Sequence, residues 1–199
     1  MREAILVRHA ESEFSVRGDV NGDPSVPCPL TPTGREQARS LGRQLVGERI
    51  ELWVTSAFER VRETADIALA GREVPGLVVP ELNEIRYGSF EGHALKDYRA
   101  WARSHSPTEA APGGGESRAE TVERYVRGFR IVLARDEETV LVVSHSLPIR
   151  YVLNAIEGRL PVPAVDQVPY AEPICVGASE LEQAIDRLAA WAAAPAWAA

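Results

Sequence analysis

The sequence predicts an α/β fold, a three-layer α/β/α sandwich around a mostly parallel sheet, on three observations. Short runs that read as strands recur at Ile5-Leu6-Val7, Leu52-Trp53-Val54-Thr55, Leu77-Val78-Val79 and Val140-Leu141-Val142-Val143, the first with the continuous apolar pattern of a buried parallel strand. Helical patterns separate these runs, and such alternation builds parallel sheets through crossover helices. The length of 199 residues, 45% hydrophobic and 26% charged, suits one globular domain able to bury a sizeable core.

Taken in order, the first strand ends in polar residues, and residues 9–30 are turn-rich, with Gly18, Asn21-Gly22-Asp23-Pro24, Pro27 and Pro29. Thr31-Pro32 is a cap followed by a proline, opening a helix that carries Ala38, Leu41 and Leu45. After the second strand, Ser56 is expected to cap a helix bearing Val61, Ala65 and Ala68. A loop through Gly88 and Gly92 follows the third strand, then a short helix over about 94–103. Pro112-Gly113-Gly114-Gly115 breaks the chain before Ser117, which forms a capping box with Glu120 and opens a long helix burying Val122, Val126, Phe129 and Val132. The fourth strand leads into a helix over about 148–156, an irregular proline-rich stretch to Val176, and an Ala-rich helix over about 179–193. A frayed tail is expected over about 192–199.

Composition narrows the function. A net charge of −7 argues against nucleic-acid and anionic-membrane partners, which call for a basic footprint. No apolar run is long enough to span a bilayer, and the acidic opening Met1-Arg2-Glu3 does not resemble a secretory signal, so a cytoplasmic location is expected. The two cysteines, Cys28 and Cys175, have no metal-binding spacing and read as inert fillers. Lys96 is the one lysine, and every other basic residue is arginine. That bias is explained by overall composition and carries no functional weight alone.

In such a sheet, functional groups collect at the carboxyl ends of the strands. Two of the four histidines stand there: Arg8-His9 follows the first strand, and Ser144-His145-Ser146 follows the fourth. Arg60 lies one turn into the helix after the second strand, and Glu84 sits on a glycine-punctuated loop after the third. Rival motifs fail. The glycines at 113–115 are followed by Glu116-Ser117 with no lysine, so no P-loop is present. Ser144-His145-Ser146 lacks the flanking glycines of a nucleophile elbow. His9, His93, His105 and His145 lack zinc-site spacing, so no metal is expected.

The ordered set Arg8-His9-x-Glu11-Ser12, Pro29-Leu30-Thr31-x-x-Gly34-x-x-Gln37-Ala38, Thr55-Ser56-x-x-x-Arg60-x-x-x-Thr64-Ala65, Leu82-x-Glu84-x-x-x-Gly88-x-x-Glu91-Gly92 and Ser144-His145 resembles the histidine phosphatase superfamily, whose best-known branch is the cofactor-dependent phosphoglycerate mutases. The resemblance spans roughly residues 4–156 and implies a phosphoglycerate mutase-like fold as a single domain over 1–199. It implies that His9 is the nucleophile and that Arg8, Arg60 and a protonated His145 hold the transferring phosphoryl group. Glu84 would protonate the leaving oxygen and then activate water. Ser15, Asn21, Tyr87 and Ser146 are the implied substrate-binding groups. No cofactor is implied, and the partner is a small phosphorylated metabolite.

Three departures stand out: Ala10 where glycine usually follows the histidine, Ser15 where an asparagine often reaches the phosphate, and Ser146 where many members have glycine. Between Gly92 and Gly113 mutases carry a longer, arginine- and proline-bearing insertion. Here the corresponding lid, about 93–116, is short and contains Tyr98, Arg99, Trp101 and Arg103. A short lid admits water, so the expectation is a metal-independent phosphomonoesterase, with a mutase as the alternative and a catalytically inactive phospho-ligand-binding module as the reading from another class. Tyr87, His93, Tyr98 and Trp101 are further candidates for the pocket wall, and Glu11, Glu91 and Glu116 are the reserve acids. The oligomeric state is left open by the sequence.

Overall fold

A computed structural model describes residues 1–197. Its five-stranded sheet has the order β3-β2-β4-β1-β5, from β1 (Glu3–Arg8), β2 (Leu52–Thr55), β3 (Gly76–Val78), β4 (Thr139–Ser144) and β5 (Ile174–Gly177). Four strands run parallel, and β5 pairs antiparallel with β1, Ile5 facing Cys175. The helices are α1 (Glu13–Arg17), α2 (Pro32–Gln44), α3 (Glu59–Ala68), α4 (Leu95–Ser104), α5 (Arg118–Leu133), α6 (Ser146–Ile156) and α7 (Ala178–Ala193). Alternate residues of β1 and β4 feed two cores. Leu6, Val140 and Val142 pack with α5, α6 and α7, whereas Ile5, Val7, Leu141 and Val143 pack with α2 and α3. Both faces of the sheet are therefore covered, which is why β4 reads as an unbroken apolar run.

The local reading held in most places. Thr31 Oγ1 accepts from Gly34 N at 2.9 Å, with Pro32 opening α2. The Ser117–Glu120 capping box is formed at α5. Four expectations change. The cap of α3 is Phe58, and the Ser56 hydroxyl is turned to His145 instead. Residues 13–17, inside the stretch read as turns, form α1. The stretch read as irregular to Val176 ends in strand β5, held by its pairing with β1. Cys28 is a buried filler, but Cys175 is exposed. Of the tail expected to fray, α7 continues through Ala193, and Trp197 Nε1 donates to the His105 carbonyl at 2.8 Å. Residues 198–199 lie outside the described residues. Among those described, no helix is long and apolar enough to cross a membrane.

Candidate active site

The carboxyl ends of β1 and β2, with the loop after β3, converge on a cavity of about 300 Å³, while His145, just past β4, lies behind Arg60 and does not line it. Close approach of the loops requires small residues. A side chain on Gly22 would collide with the Ile85 carbonyl, and Gly88, at φ +60°, lies against the Pro112 carbonyl. Arg8, His9, Arg60 and Glu84 all line the cavity.

His9 is buried at the end of β1, with its N–H donating to the Ser144 carbonyl at 2.9 Å. Its Nδ1 lies 2.8 Å from the Ala10 carbonyl. A carbonyl only accepts, so Nδ1 carries the proton and Nε2 presents its lone pair. Arg60 Nε donates to that Nε2 at 3.3 Å. Burial, then Arg60 and Arg8, holds the His9 pKa well below the ordinary histidine value, so the ring is neutral near pH 7.

His145 is fully buried. Arg60 Nη2 lies 3.3 Å from its Nδ1, and the Ser56 hydroxyl lies 2.9 Å from its Nε2. Since guanidinium only donates, Nδ1 accepts and Nε2 carries the proton. Burial, then Arg60 and His9, holds its pKa well below the usual value. Three cationic or potentially cationic groups share one buried site, so the protonated His145 expected during phosphoryl transfer calls for the negative charge of a bound phosphoryl group.

Arg60 also donates to the Asn21 side chain and main chain at 3.3 and 3.2 Å and stacks on Phe58. Arg8 donates to the Val168 carbonyl at 2.7 Å and lies 3.7 Å over the Tyr170 ring. Glu84 has no cation within hydrogen-bond reach. Its Oε1 accepts from Ile85 N, and its Oε2 lies 4.0 Å from His145 Nδ1. Burial raises its pKa above the ordinary carboxylate value.

The three reserve acids are all consumed in holding loops. Glu11 accepts from Thr31 Oγ1, and Glu91 accepts from Gly22 N and Tyr87 N at 2.8 Å each. Glu116 accepts from Arg86 N and forms a two-pronged pair with Arg124 at 2.8 and 2.7 Å. Arg124 also donates to the carbonyls of Glu81, Asn83 and Glu84, tying the Glu84 loop to α5.

The implied substrate-binding groups divide. Asn21 and Tyr87 line the main cavity, with Asn21 spending its carbonyl oxygen on Arg60. Ser15 also lines it, but its hydroxyl accepts from Ser12 N and donates to the Ser12 carbonyl. Ser146 lines a smaller adjoining cavity, and its hydroxyl accepts from Val168 N. Tyr98 is fully buried in the core, and neither His93 nor Trp101 lines either cavity. The wall is completed by Leu95 and Arg99 of α4, and by Gln167 and Tyr170 of the 157–173 segment. Gln167 and Tyr170 escaped sequence reasoning because nothing local marks them. Tyr170 reaches the site through a bridge to Arg8, and the next residue, Ala171, donates to the Arg8 carbonyl at 2.9 Å. Among the described residues, no group of three or more histidine, cysteine or acidic side chains is arranged to hold a metal.

The geometry has relatives. The family model of the histidine phosphatase superfamily (branch 1) matches residues 4–193. The chain is 33% identical over 166 residues to an adenosylcobalamin/α-ribazole phosphatase of Escherichia coli, covering 78% of this chain and 77% of that one. It is also 33% identical over 180 residues to a 2,3-bisphosphoglycerate-dependent phosphoglycerate mutase of Brucella melitensis, covering 80% and 84%. The crystal structure of the α-ribazole phosphatase from Shigella flexneri superposes with a TM-score of 0.75 at 28% identity, covering 87% and 89%. The chain belongs to the histidine phosphatase superfamily and is an enzyme of the phosphatase class.

Proposed function

We propose that the protein hydrolyses a small phosphomonoester through a phosphohistidine on His9. The carrying observation is the pairing of a neutral His9, its Nε2 free of a proton, with an unpaired Glu84 in one arginine-lined cavity. In the first step His9 Nε2 forms a bond to phosphorus while the bond to the leaving oxygen breaks. The Glu84 carboxyl proton passes to that oxygen. Arg8 and Arg60 supply the positive charge that balances the phosphoryl oxygens, and the Nδ1–H bond to the Ala10 carbonyl stabilises the phosphorylated ring. His145 Nδ1 faces both Arg60 and Glu84, so a bound dianion would favour its protonation. In the second step Glu84 takes a proton from water, water oxygen bonds to phosphorus, and the phosphorus–nitrogen bond breaks.

The test is His9→Ala with p-nitrophenyl phosphate, alongside chemical trapping of the wild type. Turnover should be lost, and quenched wild-type enzyme should carry acid-labile phosphate on the peptide containing His9. A variant within about tenfold of wild type would remove His9 as nucleophile, since a covalent catalyst has no local substitute. Activity should survive excess EDTA, and vanadate should inhibit by copying five-coordinate phosphorus. The mutase relatives supply the second reading. Phosphorus NMR on a phosphoglycerate separates the two, with inorganic phosphate as the product expected here.

A further inference from the structure

Beside the main cavity lies a second of about 50 Å³, sharing Glu84, Tyr87, Leu95, Arg99 and Gln167 with it and adding Arg118 and Ser146. At about 50 Å³ against about 300 Å³, it is the narrower of the two.

Three arginines among the described residues are more than nine-tenths buried: Arg8, Arg60 and Arg118. None has a carboxylate oxygen within 4.0 Å. Burying an unpaired cation is costly, and the first two line the main cavity, where the phosphoryl group of the proposed substrate provides the missing charge. Arg118 shows the same deficit in the second cavity. It donates to two neutral oxygens, Tyr151 Oη at 3.1 Å and the Pro163 carbonyl at 3.3 Å, and its buried Nε has no partner. It also occupies the first turn of α5, where a cation opposes the helix dipole. The Tyr98 ring, 5.2 Å from its guanidinium carbon, is its other neighbour, and it too is uncharged.

Charge counting agrees. The two cavities are lined by four guanidinium groups, from Arg8, Arg60, Arg99 and Arg118. Asp19 is satisfied by Arg17, leaving Glu84 as the one carboxylate to set against them. A phosphomonoester dianion still leaves at least one positive charge unbalanced. Arg99 spends a donor on the neutral Val165 carbonyl, so it too can offer its charge to an anion.

We propose that Arg118, with Arg99, forms a carboxylate subsite, and that the substrate is a phosphomonoester carrying a carboxylate. Tyr151 Oη and the Pro163 carbonyl each take one N–H, from Nη1 and Nη2, so each terminal nitrogen keeps a second N–H, and that pair matches the two oxygens of a carboxylate. This inference rests on the phosphatase reading only for the placement of the phosphoryl group.

The test uses binding, so it does not depend on turnover. Titration calorimetry compares 4-phosphonobutanoate with 4-phosphonobutanamide, a pair that differs in one charge and cannot be hydrolysed. Wild type should bind the carboxylate about ten- to hundredfold more tightly, the worth of a charge-assisted pair. Arg118→Met should bring the ratio close to one, and Arg118→Lys should keep part of it. If Arg118→Met does not fold, Arg99→Gln on half-buried α4 provides the second reading and should lower the same ratio. Equal affinity in wild type overturns the proposal, as does a ratio unmoved in folded Arg118→Met. Loss of p-nitrophenyl phosphate turnover with the calorimetric preference intact would count against the phosphatase reading and leave the subsite standing.

Discussion

Glu84 and Glu116 are both drawn into the interior beside the same arginine, yet they are held in opposite ways. Arg124 grips the Glu116 carboxylate with two nitrogens but touches only the main chain of Glu84. Burial alone would raise the Glu116 pKa, but bonds from Arg124 and Arg86 N bring it below the ordinary value. For Glu84 burial outweighs one bond from Ile85 N and the more distant charges of Arg60, Arg118 and Arg8, and its pKa is raised. A paired buried carboxylate is a fixed anion that orders a loop. An unpaired one, its pKa raised by burial, is better suited to give and take a proton.

The largest expected effect follows from that contrast. Glu84→Gln should slow hydrolysis of an alkyl phosphate by roughly 10²–10⁴-fold, the usual worth of a positioned acid. The p-nitrophenolate burst should slow far less, because that leaving group departs without a proton. Equal slowing for both would show that Glu84 shapes the site and transfers nothing. Glu116→Ala sharpens the other side. It leaves partly buried Arg124 with its carbonyl partners alone and should cost about 1–3 kcal/mol in urea unfolding, with the alkyl-to-aryl rate ratio unchanged. A changed ratio in a folded Glu116→Ala protein would break the division of labour.

Stability should move in opposite directions with pH. With its pKa raised, Glu84 binds more protons in the folded state, so its contribution worsens as pH rises above the ordinary carboxylate range. Glu84→Gln should therefore gain about 0.5–2 kcal/mol at pH 7, a gain that vanishes on acidification. Glu116 has a lowered folded pKa, so its stabilisation is present at neutral pH and lost as pH falls through that value. Parallel melting curves at pH 7 and pH 4 check both signs. The smallest effect belongs to Ser15. Its hydroxyl serves Ser12, so Ser15→Ala should cost about 0.5 kcal/mol of stability, as loss of a local cap bond does. Its kcat/KM should stay within about threefold, since 0.5 kcal/mol corresponds to little more than a factor of two.

What was legible in the sequence follows the range of the interactions. His9 and His145 could be found because strand ends are marked by local apolar runs, and the capping box of α5 because its bonds span three residues. The protonation state of His145 is not legible locally, because it depends on Arg60, 85 positions away in sequence, and on the charge of a bound phosphoryl group. β5 is only four residues long and is a strand because β1 pairs with it, which no local pattern records. Arg118 carries one faint local sign, a cation at a helix start, but its missing counter-charge is visible only in three dimensions.

The 157–173 segment forms one wall of both cavities, and side chains elsewhere hold it by its main chain. Arg8, Arg99, Arg118 and Arg150 donate to the carbonyls of Val168, Val165, Pro163 and Asp166, and Ser146 accepts from Val168 N. Every amino acid offers the same carbonyl. These bonds are therefore indifferent to which side chains the segment displays, and Gln167 can be exchanged while the scaffold keeps its anchors. That makes the segment the natural place for directed evolution to re-aim this enzyme. A library confined to positions 164, 165 and 167 would vary the cavity wall and keep Tyr170, over which Arg8 lies, along with the clamps.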